Sequence, residues 1–304
     1  MFKRSVSRLQ AEPIIFHTLN YFFLIVLCAL MLYPMLYTLA VSFSDSAEVS
    51  RGNVRFLPSG FTTYNYEVVL NMHTIYSAFM NTVYRTLLAV ITNLVFTSML
   101  AYTLTRPEYI FRRVITLTYV LTMYFDPGLI PGYLLIQSLG LINTFNVYWI
   151  PGMVGAFNLI IIRTYMKGIP DSLVESARID GAGEFRIYAQ IIMPLCKPVL
   201  ATIALFVAVG AWNAWFDNFI FNSGRPDLSV LQFELQRLLR SAMQAGTSAA
   251  GSTEAAQAAQ GIQQVTPTVI RATITIVAAT PILIVYPFLQ RYFVAGVKLG
   301  GVKE

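Results

Sequence analysis

Six apolar stretches, each long enough to cross a bilayer as a helix, constrain the fold of this chain most strongly. A membrane-spanning helix needs about 20 predominantly apolar residues, because it rises about 1.5 Å per residue through a hydrocarbon core about 30 Å thick. The stretches are residues 14–41, 77–104, 114–135, 147–166, 199–221 and 270–292. Of the 304 residues, 56% are hydrophobic and only 12% are charged, which excludes an ordinary water-soluble domain. We therefore predict an all-α integral membrane protein with a single transmembrane domain over residues 1–304.

The distribution of Lys and Arg predicts the orientation of the spans, because cytoplasmic loops retain positive charge. With a cytoplasmic N-terminus, fourteen of the 21 Lys and Arg residues fall inside and five outside, while Arg85 and Arg271 lie within or at the rim of spans. We therefore predict that both termini and the loop 167–197 are cytoplasmic, and that loops 42–76 and 222–268 are external. The net charge of +6 then reflects membrane topology and does not indicate a nucleic-acid partner.

The sequence has no signature of an ATPase, a metal site or a catalytic site. No stretch matches the phosphate-binding pattern Gly-x4-Gly-Lys-Ser/Thr. Cys28, Cys196 and the two His residues show no metal-ligand spacing. No nucleophile, base and orienting residue occur together. We expect that this chain is not an enzyme, has no catalytic residues, and binds neither a metal nor a cofactor.

The polar segment between the fourth and fifth stretches has the pattern of a helical hairpin. A first helix is expected to stop at Asp180 and Gly181, because glycine allows the positive φ that reverses the chain. A second helix is expected from about Gly183 to Ile192. It should end before Pro194, since proline has no N–H to continue the helical ladder.

The same segment carries a motif of spaced residues. It contains Glu175-Ser176-Ala177-Arg178-Ile179-Asp180-Gly181 and, nine residues later, Ile191-Ile192-Met193-Pro194. This motif resembles the EAA loop of bacterial ABC importer permeases, which reads Glu-Ala-Ala, three residues, Gly, nine residues, Ile, any residue and Leu-Pro. The sequence departs from that pattern at Ser176 and Met193. The resemblance implies the MetI-like fold of binding-protein-dependent importer permeases, with six transmembrane helices.

In the resembling family, this loop is the coupling helix that docks on a separate ATPase. The resemblance therefore implies an ATPase-coupling role for Glu175, Ala177, Arg178, Asp180, Gly181, Ile191 and Pro194. ATP and Mg²⁺ would be bound by a partner ATPase dimer and not by this chain. Arg178 lies three residues after Glu175, so it is expected to pair either with Glu175 or with the ATPase.

Other segments resemble the carbohydrate branch of these importers, in the maltose-type and oligosaccharide-type permease subunits. They are residues 169–173, 177–182, 212–215, 286–293 and 296–297. The resemblance implies an oligosaccharide importer of the bacterial cytoplasmic (inner) membrane. Two permease chains, usually different, would pair around one pathway, and an extracytoplasmic solute-binding protein would deliver the sugar.

Several polar and aromatic residues are candidates for the substrate pathway, because sugars stack their C–H faces on rings and their hydroxyls bond to amides and carboxylates. The candidates are Arg85, Asp126, Trp212, Asn213, Trp215 and Asp217. Asn213 and Asp217 are expected to share one helical face at i,i+4. Trp212, Asn213, Trp215 and Asp217 are near the outer end of the fifth span. Tryptophans are routine at this membrane interface without any contact with substrate, so both interpretations stay open.

Ionisable residues at membrane depth usually face a cavity or a partner. Arg85 is expected either to pair with a carboxylate or to help admit an acidic oligosaccharide, such as one built from uronic acids. Asp126 would instead fit the alternative function of a proton-coupled secondary transporter. That alternative leaves the EAA-like motif unexplained, and six spans without an internal repeat fit it poorly.

Overall fold

The computed structural model of the chain describes residues 3–125, 127–247 and 265–301, and within these ranges it is helical, without β-strands. The α-helices are α1 (Lys3–Ser42), α2 (Ser46–Ser50), α3 (Tyr64–Asn71), α4 (His73–Thr105), α5 (Arg112–Thr122), α6 (Leu129–Ser138), α7 (Ala156–Met166), α8 (Asp171–Ile179), α9 (Glu184–Ile187), α10 (Met193–Leu195), α11 (Lys197–Asn213), α12 (Phe216–Phe221), α13 (Leu231–Thr247) and α14 (Pro267–Gly301). Two 3₁₀ turns, Phe145–Tyr148 and Pro226–Leu228, and a π-helical turn, Tyr188–Ile192, complete the helical elements. The predicted all-α class is confirmed for the described part of the chain.

Three helical segments of the described chain are long and apolar enough to cross a membrane: Phe16–Ser42, His73–Thr105 and Pro267–Ile284. A fourth span results if Glu184–Leu195 and Lys197–Asn213 are joined, although the chain bends by 80° between them. The apolar helices α6 and α7 have only 10 and 11 residues. Continuous spans are thus fewer than apolar stretches, because several of the stretches are interrupted.

Glycine and proline mark two of the interruptions. The stretch 114–135 is divided into α5 and α6, and Gly128 between them has a φ of 84°. The helix is therefore interrupted near the middle of that stretch. In the stretch 147–166 the α-helix begins only at Ala156, later than expected, because Pro151 and the residues around it form turns.

The chain forms two compact units, one from residues 1–70 and 241–277 and the other from residues 71–240 and 278–304. In the first unit, turns and short helices follow α1. The buried Asn65 amide donates to the carbonyl oxygens of Ser42 and Ser44, each at 2.9 Å. Most apolar side chains of α1 between residues 16 and 39 are exposed, which is the surface expected of a helix covered by lipid or by another chain.

The second unit is built around α4, which packs against both α7 and α11. The centre of this packing is a set of fully buried apolar side chains: Leu104, Leu159, Ile162, Ile187 and Ile203. Ile187 belongs to the hairpin, so the hairpin shares one core with the long helices. Removing such side chains from water is the main stabilising contribution wherever this core lies outside the bilayer.

Candidate functional site

A helical hairpin occupies the segment that carries the EAA-like motif. Its first arm, α8, ends at Ile179, and Gly181 in the turn has a φ of 79°. This left-handed conformation is readily adopted by glycine and costs other residues about 1–2 kcal/mol. The second arm begins with α9 at Glu184. Both the hairpin and the positive φ predicted at Gly181 are confirmed.

The second arm is longer than predicted. From α9 the helix continues through the π turn Tyr188–Ile192 into α10, so Pro194 lies inside the arm and the prediction that the helix ends before it is wrong. Proline has no N–H to donate, and its ring crowds the carbonyl group one α-helical turn earlier. A wider π turn ahead of the proline makes room for the ring. The chain changes direction only at Cys196, with the 80° bend into α11.

The motif residues divide between the two faces of the hairpin. Val174 and Ala177 are buried in the core of the second unit, and Ile191 is half-buried against it. Glu175 and Asp180 are exposed. The hairpin is therefore fixed on the helices through one face while the other face remains open.

Two large apolar side chains are exposed around the hairpin turn. Ile179 at the end of α8 is 86% exposed, and Phe185 in α9 is 72% exposed. Exposed apolar side chains beside charged ones are typical of a protein interface. Among the described residues, no candidate span includes Ile179, whereas Phe185 lies in the bent pair of helices that could form a fourth span.

Arg178 joins the hairpin to the turn that follows α4. Its Nη1 donates to Oε1 of Glu108 at 2.6 Å, and its Nη2 lies 2.8 Å from Oε1 of Glu184. Among the described residues it forms no ion pair with Glu175, which was one of the two expected alternatives. The Arg178 guanidinium holds the pKa of the Glu108 carboxyl below its usual range, and the two carboxylates raise the pKa of Arg178.

Two tyrosines add hydrogen bonds between the hairpin and α4. The Tyr102 hydroxyl of α4 donates to Oε2 of Glu184 at 2.6 Å, and one turn earlier the Ser98 hydroxyl lies 2.7 Å from the hydroxyl of Tyr188. We refer to Ser98, Tyr102, Arg178, Glu184 and Tyr188 as the hairpin clamp. Because the clamp acts at two successive turns of α4, it resists rotation of the hairpin relative to that helix.

In the first half of α4, the buried Arg85 makes contact with the break between α11 and α12. Its Nη1 donates to the carbonyl oxygen of Ala214 at 3.0 Å and to Oδ1 of Asp217 at 3.3 Å, and its Nη2 forms an ion pair with Oδ2 of the same carboxylate. The guanidinium lies 4.6 Å from the centre of the Tyr148 ring. Arg85 therefore has a carboxylate partner within its own chain.

The break separates two residues that were expected on one helical face. Because α11 ends at Asn213 and α12 starts three residues later, Asn213 and Asp217 do not share an i,i+4 face, and that prediction is wrong. Asp217 pairs with Arg85, whereas the exposed Asn213 accepts a hydrogen bond from Gln232 at 3.3 Å. The break lets the free Ala214 carbonyl and the Asp217 carboxylate converge on one buried cation, which a continuous helix would not allow.

The two tryptophans beside the break differ in how far their side chains are exposed. Trp212 is buried, and its Nε1 donates to the carbonyl oxygen of Ala278 at 2.9 Å. Trp215 is half-buried, with the Arg240 guanidinium 5.7 Å from its ring centre. Of the candidate pathway residues, Trp215 and Asn213 thus present open surface, and Asp126 lies outside the described residues.

Hydrogen bonds that sequence reasoning missed hold the loop after α12 against α4. The Asn81 amide donates to the carbonyl oxygen of Ser229 at 2.9 Å, and the Thr82 hydroxyl accepts from the backbone N–H of Leu231 at 2.9 Å. Asn81 and Thr82 precede Arg85 by four and three residues, so all three lie on one face of α4. That spacing of polar residues in an apolar helix could have indicated that this face of α4 contacts polar groups of another segment.

A family model described as "Binding-protein-dependent transport system inner membrane component" matches residues 93–299, a range that contains the whole hairpin. The chain belongs to this family. It is thus an inner membrane permease of an ABC importer, in which an EAA motif and a coupling helix are typical. The permease is not an enzyme, because the ATPase of these importers is a separate subunit, and permease components bind no cofactor themselves.

Relatives of this permease belong to sugar importers. It is 33% identical over 291 residues to the "Polygalacturonan/rhamnogalacturonan transport system permease protein YtcP" of Bacillus subtilis (strain 168). The matched region covers 95% of this chain and 98% of the relative. It is 28% identical over 276 residues to the "Arabinooligosaccharides transport system permease protein AraQ" of Halalkalibacterium halodurans, covering 89% and 91% of the two chains.

Solved structures agree with this membership. One chain of a bacterial ABC transporter "involved in the import of the acidic polysaccharide alginate" matches with a TM-score of 0.84 and 30% identity, over 93% of this chain and 98% of that chain. A chain of the bacterial alginate ABC transporter "in complex with alginate pentasaccharide-bound periplasmic protein" matches with a TM-score of 0.52 and 14% identity, over 95% of each chain, and shows the fold alone. The predicted MetI-like permease fold is confirmed, and the alternative of a proton-coupled secondary transporter has no support.

Proposed function

We propose that this permease imports acidic oligosaccharides as one half of a heterodimeric translocation pathway. The observation that carries the proposal is the match over 93% of the chain, at 30% identity, to a permease whose transporter imports the acidic polysaccharide alginate. The relative YtcP is named for polygalacturonan and rhamnogalacturonan, polymers that also contain uronic acids. Sugar carboxylates are therefore the chemical feature that these two cargoes share.

The pathway of this chain is proposed to run past the break between α11 and α12. Asn213 and Trp215 offer an amide and an aromatic ring on open surface, which suit a sugar hydroxyl and a sugar C–H face. Arg85, Asp217 and Trp212 contact other groups of the same chain and are proposed to shape the pathway without contacting cargo. A pathway role for Asp126 stays a prediction.

The exposed face of the hairpin is proposed to dock on the ATPase dimer. Glu175, Asp180 and Gly181 lie on this face or in the turn, and Ile179 and Phe185 add apolar area. Closure of the ATPase on ATP and Mg²⁺, both held by that partner, would push the hairpin. Ile191 and Pro194 belong to the second arm, which leads into α11.

The hairpin clamp is proposed to pass that movement to α4. Arg178, Glu184 and Tyr102 form a continuous set of charged contacts between the hairpin and the end of α4. Helix α4 has 33 residues and carries Arg85 in its first half, about 25 Å from Tyr102 at about 1.5 Å per residue. A rigid helix with polar contacts at these two positions would link movement of the hairpin to the geometry of the break.

The proposed assembly contains a second permease subunit, an ABC ATPase dimer and an extracytoplasmic solute-binding protein. The chain is proposed to cross the membrane six times as one transmembrane domain, with both termini and the hairpin in the cytoplasm. The interrupted stretches would cross the bilayer as broken helices, which is tolerated where protein or a water-filled cavity satisfies the free backbone groups.

The orientation can be tested with single cysteines. In a variant with Cys28→Ser and Cys196→Ala, we expect Ser223→Cys to react with a membrane-impermeant thiol reagent in intact cells, and Ser176→Cys to react only after the membrane is opened. Both serines are exposed, so access to the reagent depends on the side of the membrane. Labelling of Ser176→Cys but not of Ser223→Cys in intact cells would reverse the topology and contradict ATPase docking at the hairpin.

The cargo can be tested with the transporter reconstituted in proteoliposomes with its own binding protein. We expect ATP-dependent uptake of trigalacturonate, and uptake of neutral galactotriose at a rate at least about tenfold lower, because recognition of a carboxylate contributes charged hydrogen bonds worth about 1.5–3 kcal/mol. Liposomes without ATP inside provide the control. Equal uptake of the two trisaccharides would refute the acidic cargo and leave the membership of the permease family unchanged.

A further inference from the structure

Four arginines lie near the break in the second unit, and three of them are neutralised by carboxylates of the same chain. Arg85 pairs with Asp217. Arg225 and Arg237 form ion pairs at 2.7 Å, with Asp227 and Glu234 respectively. Within the described residues, the fourth arginine, Arg240 of α13, forms no ion pair.

Arg240 is exposed and faces aromatic rings. Its guanidinium carbon lies 5.7 Å from the ring centre of Trp215 and 5.3 Å from that of Phe219. A cation–π contact does not use the N–H groups of a guanidinium, so these groups can still donate to an anion. The electrostatic attraction to the rings does not neutralise the positive charge.

The rings beside Arg240 form a partly open platform. The centres of the Trp215 and Phe219 rings are 6.2 Å apart, and Phe219 is 38% exposed. Asn213 precedes Trp215 by two residues, and its amide oxygen accepts a hydrogen bond from the amide of Gln232 at 3.3 Å. Each of these amides keeps further donors and acceptors for a ligand, because an Asn or Gln side chain offers two donors and an acceptor with two lone pairs.

We propose that Arg240, Trp215, Phe219, Asn213 and Gln232 form a binding subsite for a uronic acid residue of the cargo. The sugar ring would stack on Trp215, its hydroxyls would bond to the two amides, and its carboxylate would accept a bidentate pair of hydrogen bonds from Arg240. The proposal rests on the import of acidic oligosaccharides proposed above. It assigns recognition of the carboxylate to Arg240 and not to Arg85, which already has a carboxylate partner.

The test compares Arg240→Gln with the unmodified transporter in proteoliposomes, with trigalacturonate and its fully methyl-esterified form as probes. Binding of each probe is titrated directly on the reconstituted complex without the binding protein, and uptake of trigalacturonate is measured with it. We expect Arg240→Gln to weaken binding of trigalacturonate about tenfold or more, to lower its uptake, and to leave binding of the ester within about twofold. Arg240→Lys should restore part of the difference. Arg225→Gln removes an exposed arginine that has its own carboxylate partner, and it should change neither the binding of the two probes nor the uptake of trigalacturonate.

Five results would overturn the proposal. Equal loss of binding for the acid and the ester would mean that Arg240 does not recognise the carboxylate. Loss of the partner permease from the purified Arg240→Gln complex would mean that the surface is a subunit interface, and a defect that appears only with anionic lipids would mean that Arg240 binds a lipid headgroup. If the unmodified transporter imports trigalacturonate and Arg240→Gln matches it, only the subsite is wrong; if the unmodified transporter does not import it, the proposed cargo is wrong as well.

Discussion

An Asp217→Asn variant is expected to lose much of its thermal stability and its yield of assembled transporter. The change leaves the buried Arg85 without its counter-charge, and removal of one partner from a fully buried ion pair costs about 3–5 kcal/mol. The cost here should be somewhat smaller, because the Asp217 side chain keeps 24% of its exposure. The midpoint of thermal unfolding of the purified complex and the amount of co-purified partner permease measure the effect.

The Arg225–Asp227 pair provides a matched control for this prediction. Its two side chains are 49% and 58% exposed, and exposed ion pairs contribute only about 0–1 kcal/mol. Asp227→Asn should therefore leave the unfolding midpoint nearly unchanged. In an Arg85→Met, Asp217→Leu double variant no charge remains unpaired, so the loss should be smaller than in Asp217→Asn alone. A double variant less stable than the single one would contradict the role of the ion pair.

A Gly181→Val variant is expected to insert and assemble but to lose most substrate-stimulated ATPase activity. A β-branched residue resists the φ of 79° at this turn, where the left-handed conformation costs about 1–2 kcal/mol or more. The strain changes the path between the two arms of the hairpin, and a small displacement of a docking surface is enough to disturb coupling. ATPase activity with and without loaded binding protein, together with uptake, measures the loss.

Gly183→Val is the control, because it introduces the same side chain two residues later. Gly183 has a φ of −71°, which any residue adopts, and a Cβ placed there has no atom within 4 Å apart from its chain neighbours, so valine is expected to fit without backbone strain. Gly181 also has open space around it, and its expected defect therefore comes from backbone conformation and not from a clash. Gly181→Asn should keep more activity than Gly181→Val, because asparagine tolerates positive φ. Equal activity of the two valine variants would contradict the predicted role of the positive φ at Gly181.

The hairpin shows how far local sequence rules reach. Gly181 and the spacing from Glu175 to Pro194 were enough to predict the turn, the two arms and the family. The same rules failed at Pro194, because they treat proline as the end of a helix. A π turn precedes Pro194, and Ile187 and Ile192 beside and within that turn are buried in the core. Rules about single residues take no account of such packing.

The break after Asn213 shows the same limit at the proposed pathway. Residues 199–221 read as one continuous apolar helix, and neither proline nor glycine marks the break at Ala214 and Trp215. The group that accompanies the break comes from 129 residues away in sequence, where Arg85 donates to the carbonyl oxygen of Ala214. Periodicity and propensity describe neighbours along the chain, so they do not detect a charge that arrives from another helix.

The all-α membrane class, the permease family, the hairpin and the polar residues at the break could all be predicted from the sequence. These follow from apolar length, from the motif and from the conformational limits of glycine, all of which are local properties. How those polar residues are used depends on the packing of the helices. Arg85 and Asp217 neutralise each other, Trp212 is buried against Ala278, and Arg240 lies beside Trp215 without an ion-pair partner in the described part of the chain. The physical reason is that a buried charge takes the nearest available counter-charge, and which group is nearest depends on how the helices pack and not on their order in the chain.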